Sequence, residues 1–310
     1  MAESTLFNEI SSLRTEKINP ETVNIDLSST EEILNMINKE DSSVPEAVRD
    51  QIPNIAKAVD IISDAFRLGG RLFYFGAGTS GRLGVVDASE CPPTFGTDPE
   101  MVQGIIAGGK EAMFVAQEGA EDLPENGEKE IMKRKISPPD VVAGIAASGR
   151  TPFVKGALKK AGELSCHTIL ITTTSCEQAK ELGMVADIYI CPEVGPEVIA
   201  GSTRMKSGTA QKLVLNMLTT ASMIRLGKTY GNIMVDLQQT NAKLKERSKR
   251  ILMEITGVDH DTAAEYMQKS KGSVKLALTM ILTGENAGNA EKLLSKAGGF
   301  VKKAVALKKD

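Results

Sequence analysis

Tryptophan is absent from the 310-residue chain, histidine occurs twice and cysteine four times. Each scarcity removes a class of chemistry. His167 and His260 stand far apart, with no H-E-x-x-H or similar ligand spacing around them, so no metal site is expected. Cys91, Cys166, Cys176 and Cys191 show neither C-x-x-C spacing nor the density of a disulfide framework, and all four are expected as reduced thiols. No apolar run reaches the roughly 18 residues of a membrane span. The opening Met1-Ala2-Glu3-Ser4-Thr5 lacks a basic segment followed by an apolar one, which points to the cytoplasm and to no membrane partner. A charge excess is missing too. The formal net charge is −3, and lysines are scattered until the short Lys302, Lys303, Lys308, Lys309 tail, which leaves no footprint for nucleic acid.

What is present suits a folded domain, with 41% hydrophobic and 25% charged residues, both near the soluble globular average. Residues 1–28 are polar and weakly patterned, an arm expected to lean on another part of the molecule or on a partner subunit. Ser29-Thr30-Glu31-Glu32 has the form of a capping box and opens a short helix. Val48, Ile52, Ile55, Val59, Ile62 and Phe66 recur at spacings of three and four, which predicts one helix ended by Gly69-Gly70.

Beyond that point, short apolar runs alternate with glycine-rich turns and amphipathic stretches. Leu72–Phe75, Gly104–Ala107, Val141–Ala146, Thr168–Ile171 and Ile188–Ile190 predict five parallel strands with little polar alternation. An α/β fold follows, a three-layer αβα sandwich on a five-stranded parallel sheet. After residue 200 strand signals stop. A long helix is expected over Lys206–Leu226, another over Met234–Lys249, and then short helices punctuated by Gly257, Gly272, Gly284 and Gly298-Gly299. The expected division is an arm and helix over 1–45, a ligand-binding α/β domain over 46–245 and a small helical domain over 246–310.

The first strand runs into Gly76-Ala77-Gly78-Thr79-Ser80-Gly81, which formally matches the G-x-G-x-x-G dinucleotide fingerprint. A dinucleotide site also needs an acidic residue at the end of the second strand, and that strand ends in Ala107-Gly108-Gly109-Lys110. No nicotinamide cofactor is expected. The broader content of the loop is anion binding: glycines let backbone amides approach a ligand, a helix start carries partial positive charge, and Thr79 and Ser80 add hydroxyl donors. The third strand ends alike in Ser148-Gly149-Arg150-Thr151-Pro152, with proline suited to a first helical turn. Two such loops at adjacent strand ends predict a phosphate cradle. A third segment, with Ser202, Arg204 and Lys206 before the long helix, is expected to close the same pocket. Two acidic segments remain, Asp87-Ala88-Ser89-Glu90 before a Cys91-Pro92-Pro93 turn and Glu118-Gly119-Ala120-Glu121-Asp122. Spacing alone does not choose between Glu118 and Glu121.

The words GAGTSGRLG, DASECPP, QEGAEDL, GIAASGRTP, GSTRMKSGTAQKLVLNML and GNIMVDLQQTNAKL, in this order, closely resemble the N-acetylmuramic acid 6-phosphate etherase family. The likeness covers residues 20–245 and, more loosely, the helical tail. It implies a sugar isomerase (SIS) type αβα domain, a C-terminal helical domain similar to ubiquitin-associated folds, and a homodimer with active sites near the subunit interface. It implies cleavage of the D-lactyl ether of N-acetylmuramic acid 6-phosphate with water, in cell-wall sugar recycling and without any cofactor. The glutamate of the DASE word carries onto Glu90 as proton donor, and that of the GAED word onto Glu121 as second catalytic residue. Gly78, Thr79, Ser80, Ser148, Gly149 and Thr151 are the candidate substrate and phosphate contacts. A non-catalytic sugar-phosphate sensor and a sugar-phosphate isomerase are the rival readings.

Overall fold

The computed structural model describes residues 11, 13–117, 119–237 and 242–309. After three short 3-10 turns, helices α1 (Thr30–Asp41), α2 (Val44–Arg49) and α3 (Ile52–Arg67) lead into the alternating part of the chain. There β1 (Leu72–Gly76), α4 (Gly78–Phe95), β2 (Val102–Ile106), α5 (Pro124–Lys133), β3 (Val141–Ile145), α6 (Pro152–Glu163), β4 (His167–Ile171), α7 (Cys176–Glu181) and β5 (Ile188–Ile190) follow in turn. The remainder holds α8 (Lys206–Arg225), a hairpin of β6 (Thr229–Tyr230) and β7 (Ile233–Met234), α9 (Ala242–Thr256), α10 (His260–Lys269), α11 (Val274–Thr283), α12 (Ala287–Lys296) and α13 (Val301–Lys309).

All five strands pair in parallel, in the order β2-β1-β3-β4-β5. Every residue of β1 and β3 is buried, as covering both faces requires. Phe73, Phe75, Val142 and Leu170 pack one face against Phe153, Val154 and Leu158 of α6 and Ile131 of α5. Tyr74 lies between two of these residues and so serves the opposite face. Its hydroxyl donates to Asp87 of α4, which also accepts from Asn216 and Thr219 of α8. One buried carboxylate thereby ties a strand to two helices.

The chain packs as two compact units, the first running to Ser89 and resuming over Glu100–Thr219, the second made of Glu90–Pro99 and the chain from Thr220 onward. The division thus falls inside α8, upstream of residue 245. The second unit has its own core, with Leu252, Ala263, Val274, Ala277, Leu278, Leu294 and Val301 at its centre. Asp259, Ser273 and Asn286 cap α10, α11 and α12 by accepting from the backbone amide three residues on.

Several local expectations are corrected. The predicted single helix over 48–66 is two, because Pro53 near the start of α3 has no amide to continue the ladder. Pro92 and Pro93 do not force a turn after Glu90. They sit within the last turns of α4, and the helix runs on to Phe95 although neither has an N–H to donate to the Ala88 or Ser89 carbonyl. Strand structure does not stop after residue 200, since β6 and β7 form a hairpin where a helix was expected to begin. Cys176 and Cys191 form a disulfide, with Cα atoms 5.8 Å apart, while Cys91 and Cys166 are free and buried. Adjacency of β4 and β5 brings the first residue of α7 beside the end of β5, a proximity that the spacing of the cysteines does not reveal.

Candidate active site

The turn from β1 into α4 depends on two glycines whose backbones touch. A Cβ on Gly76 would lie 2.7 Å from the Gly81 nitrogen, and one on Gly81 would lie 2.7 Å from the Gly76 oxygen. The helix start is therefore drawn onto the strand end, as it must be to aim free amides at a ligand. Thr79 is half-buried and Ser80 buried, and the Ser80 hydroxyl donates to Oε1 of Gln211 on α8 at 2.9 Å.

The turn from β3 into α6 is held from below. Gly149 adopts φ +68° over Thr172 and Thr174. The hydroxyls of Thr172 and Thr173 donate to the Ala147 carbonyl at 3.1 and 3.0 Å, and Thr173 also reaches the Ser207 hydroxyl at 2.9 Å. At the first turn of α6 the Phe153 amide donates to the Glu121 carbonyl at 2.9 Å, which fixes the acidic segment to the same helix start.

These turns enclose a cavity of about 240 Å³. Ala77, Gly78, Thr79 and Ser80 line it from the first turn, and Ala147, Ser148, Arg150, Thr151 and Pro152 from the second. Glu121 and Asp122 line it from the acidic segment, Thr203 from the loop before α8, and Thr15 and Glu16 from the N-terminal arm. Hydroxyl-bearing residues and one guanidinium thus share the cavity with three carboxylate residues, Glu16, Glu121 and Asp122. Glu121 is open to the cavity, yet the crowding protein atoms push its pKa above the ordinary carboxylate value, Asp122 pushes it further, and Arg150 opposes both. A carboxyl group that holds its proton more tightly than usual is suited to taking a proton and returning it.

Of the residues singled out from sequence, Gly78, Thr79, Ser80, Ser148, Thr151 and Glu121 meet at this cavity, and Gly149 shapes its wall. Glu90 is not among the lining residues. It is exposed, twelve positions beyond Gly78 on α4, about 18 Å along the helix axis at about 1.5 Å per residue. Glu118 lies outside the described residues. Ser202, Arg204 and Lys206 do not line the cavity either. The buried Lys206 ammonium sits 2.5 Å from Glu40, and the amides of Lys206 and Ser207 donate to the buried Glu197 carboxylate. The start of α8, expected to favour an anionic ligand, is thus already occupied by a carboxylate of the chain. Among the described residues no cluster of His, Cys, Asp and Glu is placed to hold a metal ion, and no helix is long and apolar enough to cross a membrane.

Sequence reading missed Thr15, Glu16, Gln211 and the threonines after β4. Thr15 and Glu16 reach the cavity because the arm is strapped to the loop after β5. Gly201 donates to the Thr15 carbonyl at 3.0 Å, the Thr22 hydroxyl donates to the Val198 carbonyl at 2.9 Å, and Arg14 pairs with Glu193. The Thr172-Thr173-Thr174 run directly after β4 was a readable signal, being hydroxyls at another carboxyl strand end. Gln211 carried none.

Residues 54–162 match the family model for the glucokinase regulatory protein N-terminal SIS domain. The chain is 57% identical to the N-acetylmuramic acid 6-phosphate etherase of Salinibacter ruber, over 97% of this chain and 96% of the relative. It is 54% identical to that of Clostridium acetobutylicum, over 97% and 98% respectively. A solved phosphoheptose isomerase from Francisella tularensis is similar with a TM-score of 0.46 and 16% identity, covering 63% of this chain and 98% of that one. With more than half of its residues shared along nearly its whole length, the chain belongs to the N-acetylmuramic acid 6-phosphate etherase family.

Proposed function

We propose that this protein cleaves the D-lactyl ether of N-acetylmuramic acid 6-phosphate with water, giving N-acetylglucosamine 6-phosphate and D-lactate in the use and recycling of cell-wall amino sugar. The observation that carries this reading is the cavity in which two hydroxyl-bearing strand-to-helix turns face a carboxyl group with a raised pKa. The identity to the named etherases supports the choice of substrate.

An alkyl ether is a poor leaving group, but in the ring-opened sugar the C1 aldehyde acidifies the C2 proton. We assign removal of that proton to Glu121. The resulting enolate expels the lactyl oxygen from C3 as an acid protonates it, and water then adds at C3 while C2 is reprotonated. Each proton transfer is worth about 10²–10⁴ in rate. Ser80, Ser148 and Thr151 hold the 6-phosphate together with the amides of the first turn, with Thr79 and Gly78 beside them. No step moves electrons to or from an external carrier, so the scheme uses no cofactor.

We assign the acid role to Glu90. Its place on the exposed last turns of α4 suits donation to the cavity of a second copy of the chain, which makes the working form a homodimer. The α/β region over 46–245 would then carry the chemistry and 246–310 would complete the fold, in the cytoplasm where sugar phosphates are kept.

The test is D-lactate release by Glu90→Gln and Glu121→Gln proteins, alone and after unfolding and refolding as a mixture. Each folded variant is expected to lose activity by about 10²–10⁴. The mixture is expected to recover part of it, because a mixed dimer holds one site with both carboxyls. Near-normal release by either variant alone removes that residue from the mechanism. An inactive mixture that still forms dimers overturns the donation between copies.

A further inference from the structure

Gln211 is fully buried on the second turn of α8, and its only partner among the described residues is Ser80. Ser80 Oγ donates to Gln211 Oε1 at 2.9 Å, whereas Gln211 Nε2 is buried with no hydrogen-bond partner among the described residues. A buried amide nitrogen without an acceptor is costly, and such groups ask for a reason. The residue has no exposure to solvent. α8 packs closely against the start of α4 at Gly208, where a Cβ would meet the Thr79 methyl at 3.4 Å.

A serine hydroxyl has one proton. While that proton is held by Gln211 Oε1, Ser80 offers the cavity only lone pairs, which repel a phosphate oxygen. The terminal torsion of glutamine is broad and roughly two-fold. A half-turn of the amide places Nε2 where Oε1 was, so that nitrogen donates to Ser80 Oγ and the Ser80 proton is released toward the cavity. In either orientation one end of the amide is paired with Ser80 and the other is not, so the protein alone favours neither strongly. An anion distinguishes them, because only the turned state gives it a charge-assisted donor.

We propose that Gln211 is a positioning residue whose buried amide sets the donor direction of Ser80 and turns when the phosphate group of the substrate arrives. The inference rests on the assignment of Ser80 as a phosphate contact and deepens it. Ser80 becomes a conditional donor, engaged by an acceptor-only anion and withheld otherwise.

The experiment measures the inhibition constant of inorganic phosphate and the KM and kcat for the sugar phosphate, in six proteins and at two pH values. In Gln211→Glu at pH 8.5 the ionised carboxylate can only accept, so the Ser80 proton is locked away. KM and the phosphate constant are expected to rise roughly tenfold or more relative to the parent, with kcat changed far less. At pH 6 the protonated carboxyl can donate in its turn, and much of the loss is expected to return. Gln211→Met keeps the volume but removes the competing acceptor, so the phosphate constant is expected to fall about threefold. That opposite sign keeps the test decisive if the buried glutamate impairs folding. In a Ser80→Ala background the Gln211 substitutions are expected to lose their effect on KM. A weakened phosphate constant in Gln211→Met, an unchanged one in Gln211→Glu, or equal effects with and without Ser80 overturns the relay and leaves Ser80 as a phosphate contact. If Ser80→Ala itself leaves the phosphate constant unchanged, the phosphate assignment fails and the relay fails with it, while the lactate-release test of Glu121 stands apart.

Discussion

The two packing units differ in how most of their buried polar groups are paired. In the α/β unit Ser80, Asp87, Thr172, Thr173, Glu197, Lys206, Ser207 and Gln211 are all buried, and most bond to partners far away in sequence. In the helical unit the interior is aliphatic. Buried Ser248 and Thr279 donate to the carbonyls four residues back, and Ser270 to the one three back, so each is satisfied by its own helix. Burying a polar group costs free energy unless it is paired. A unit that accepts that cost repeatedly around one set of strand ends does so where ligand groups must be met. The helical unit bears that cost at fewer positions, Thr97 and Ser222 being buried there without a hydrogen-bond partner among the described residues.

Substitutions in the two units are therefore expected to differ in kind as well as in size. The largest stability loss is expected from Leu278→Ala, which empties a fully buried position of the helical core and should cost about 2–5 kcal/mol, read from chemical unfolding. A cost under 1 kcal/mol would mean that this core is loosely packed and the contrast is overstated. Gly81→Ala should cost about 1–3 kcal/mol, because the new methyl meets the Gly76 carbonyl. It should also raise KM, since the same turn aims amides at the cavity, whereas a purely structural turn would leave KM unmoved.

A subtler test uses the acid limb of the pH–rate profile, which by assignment reports Glu121. Burial and Asp122 raise its pKa, so activity is expected to fall on acidification at a pH above the ordinary glutamate value of about 4.3. Asp122→Asn should move this limb down, and Arg150→Met should move it up, because the guanidinium favours the charged form. No movement in either variant would detach the limb from Glu121. The smallest effect is expected at the exposed Lys269–Glu265 pair of the helical unit, where Lys269→Ala should leave the melting temperature within error.

The legibility of the sequence divides along the same line. In the helical unit Gly257, Gly272, Gly284, Gly298 and Gly299 all take positive φ at helix ends, as their punctuation implied, because helix termination is a local event. The five strands of the sheet were equally readable, since apolar runs bounded by glycine turns survive burial on both faces. The β6–β7 hairpin was not, because strands of two residues are too short to show a period. At the candidate site Gly78, Thr79, Ser80, Ser148 and Thr151 could be named from hydroxyls and glycines at two strand ends. The parts contributed by Thr15, Glu16 and Gln211 could not.

What the sequence determined alone is therefore whatever depends on neighbours along the chain: the strands, the capped helices, the glycine turns and the hydroxyls standing beside them. The tertiary structure decided which distant groups meet. It joined Cys176 at the start of α7 to Cys191 just after β5, gave the start of α8 to Glu197, set Gln211 under Ser80, and left Glu90 near the end of α4. The physical reason is that a hydrogen bond or disulfide between residues 9 to 131 positions apart has no local signature, and only the packing of strand against strand and helix against helix creates its geometry.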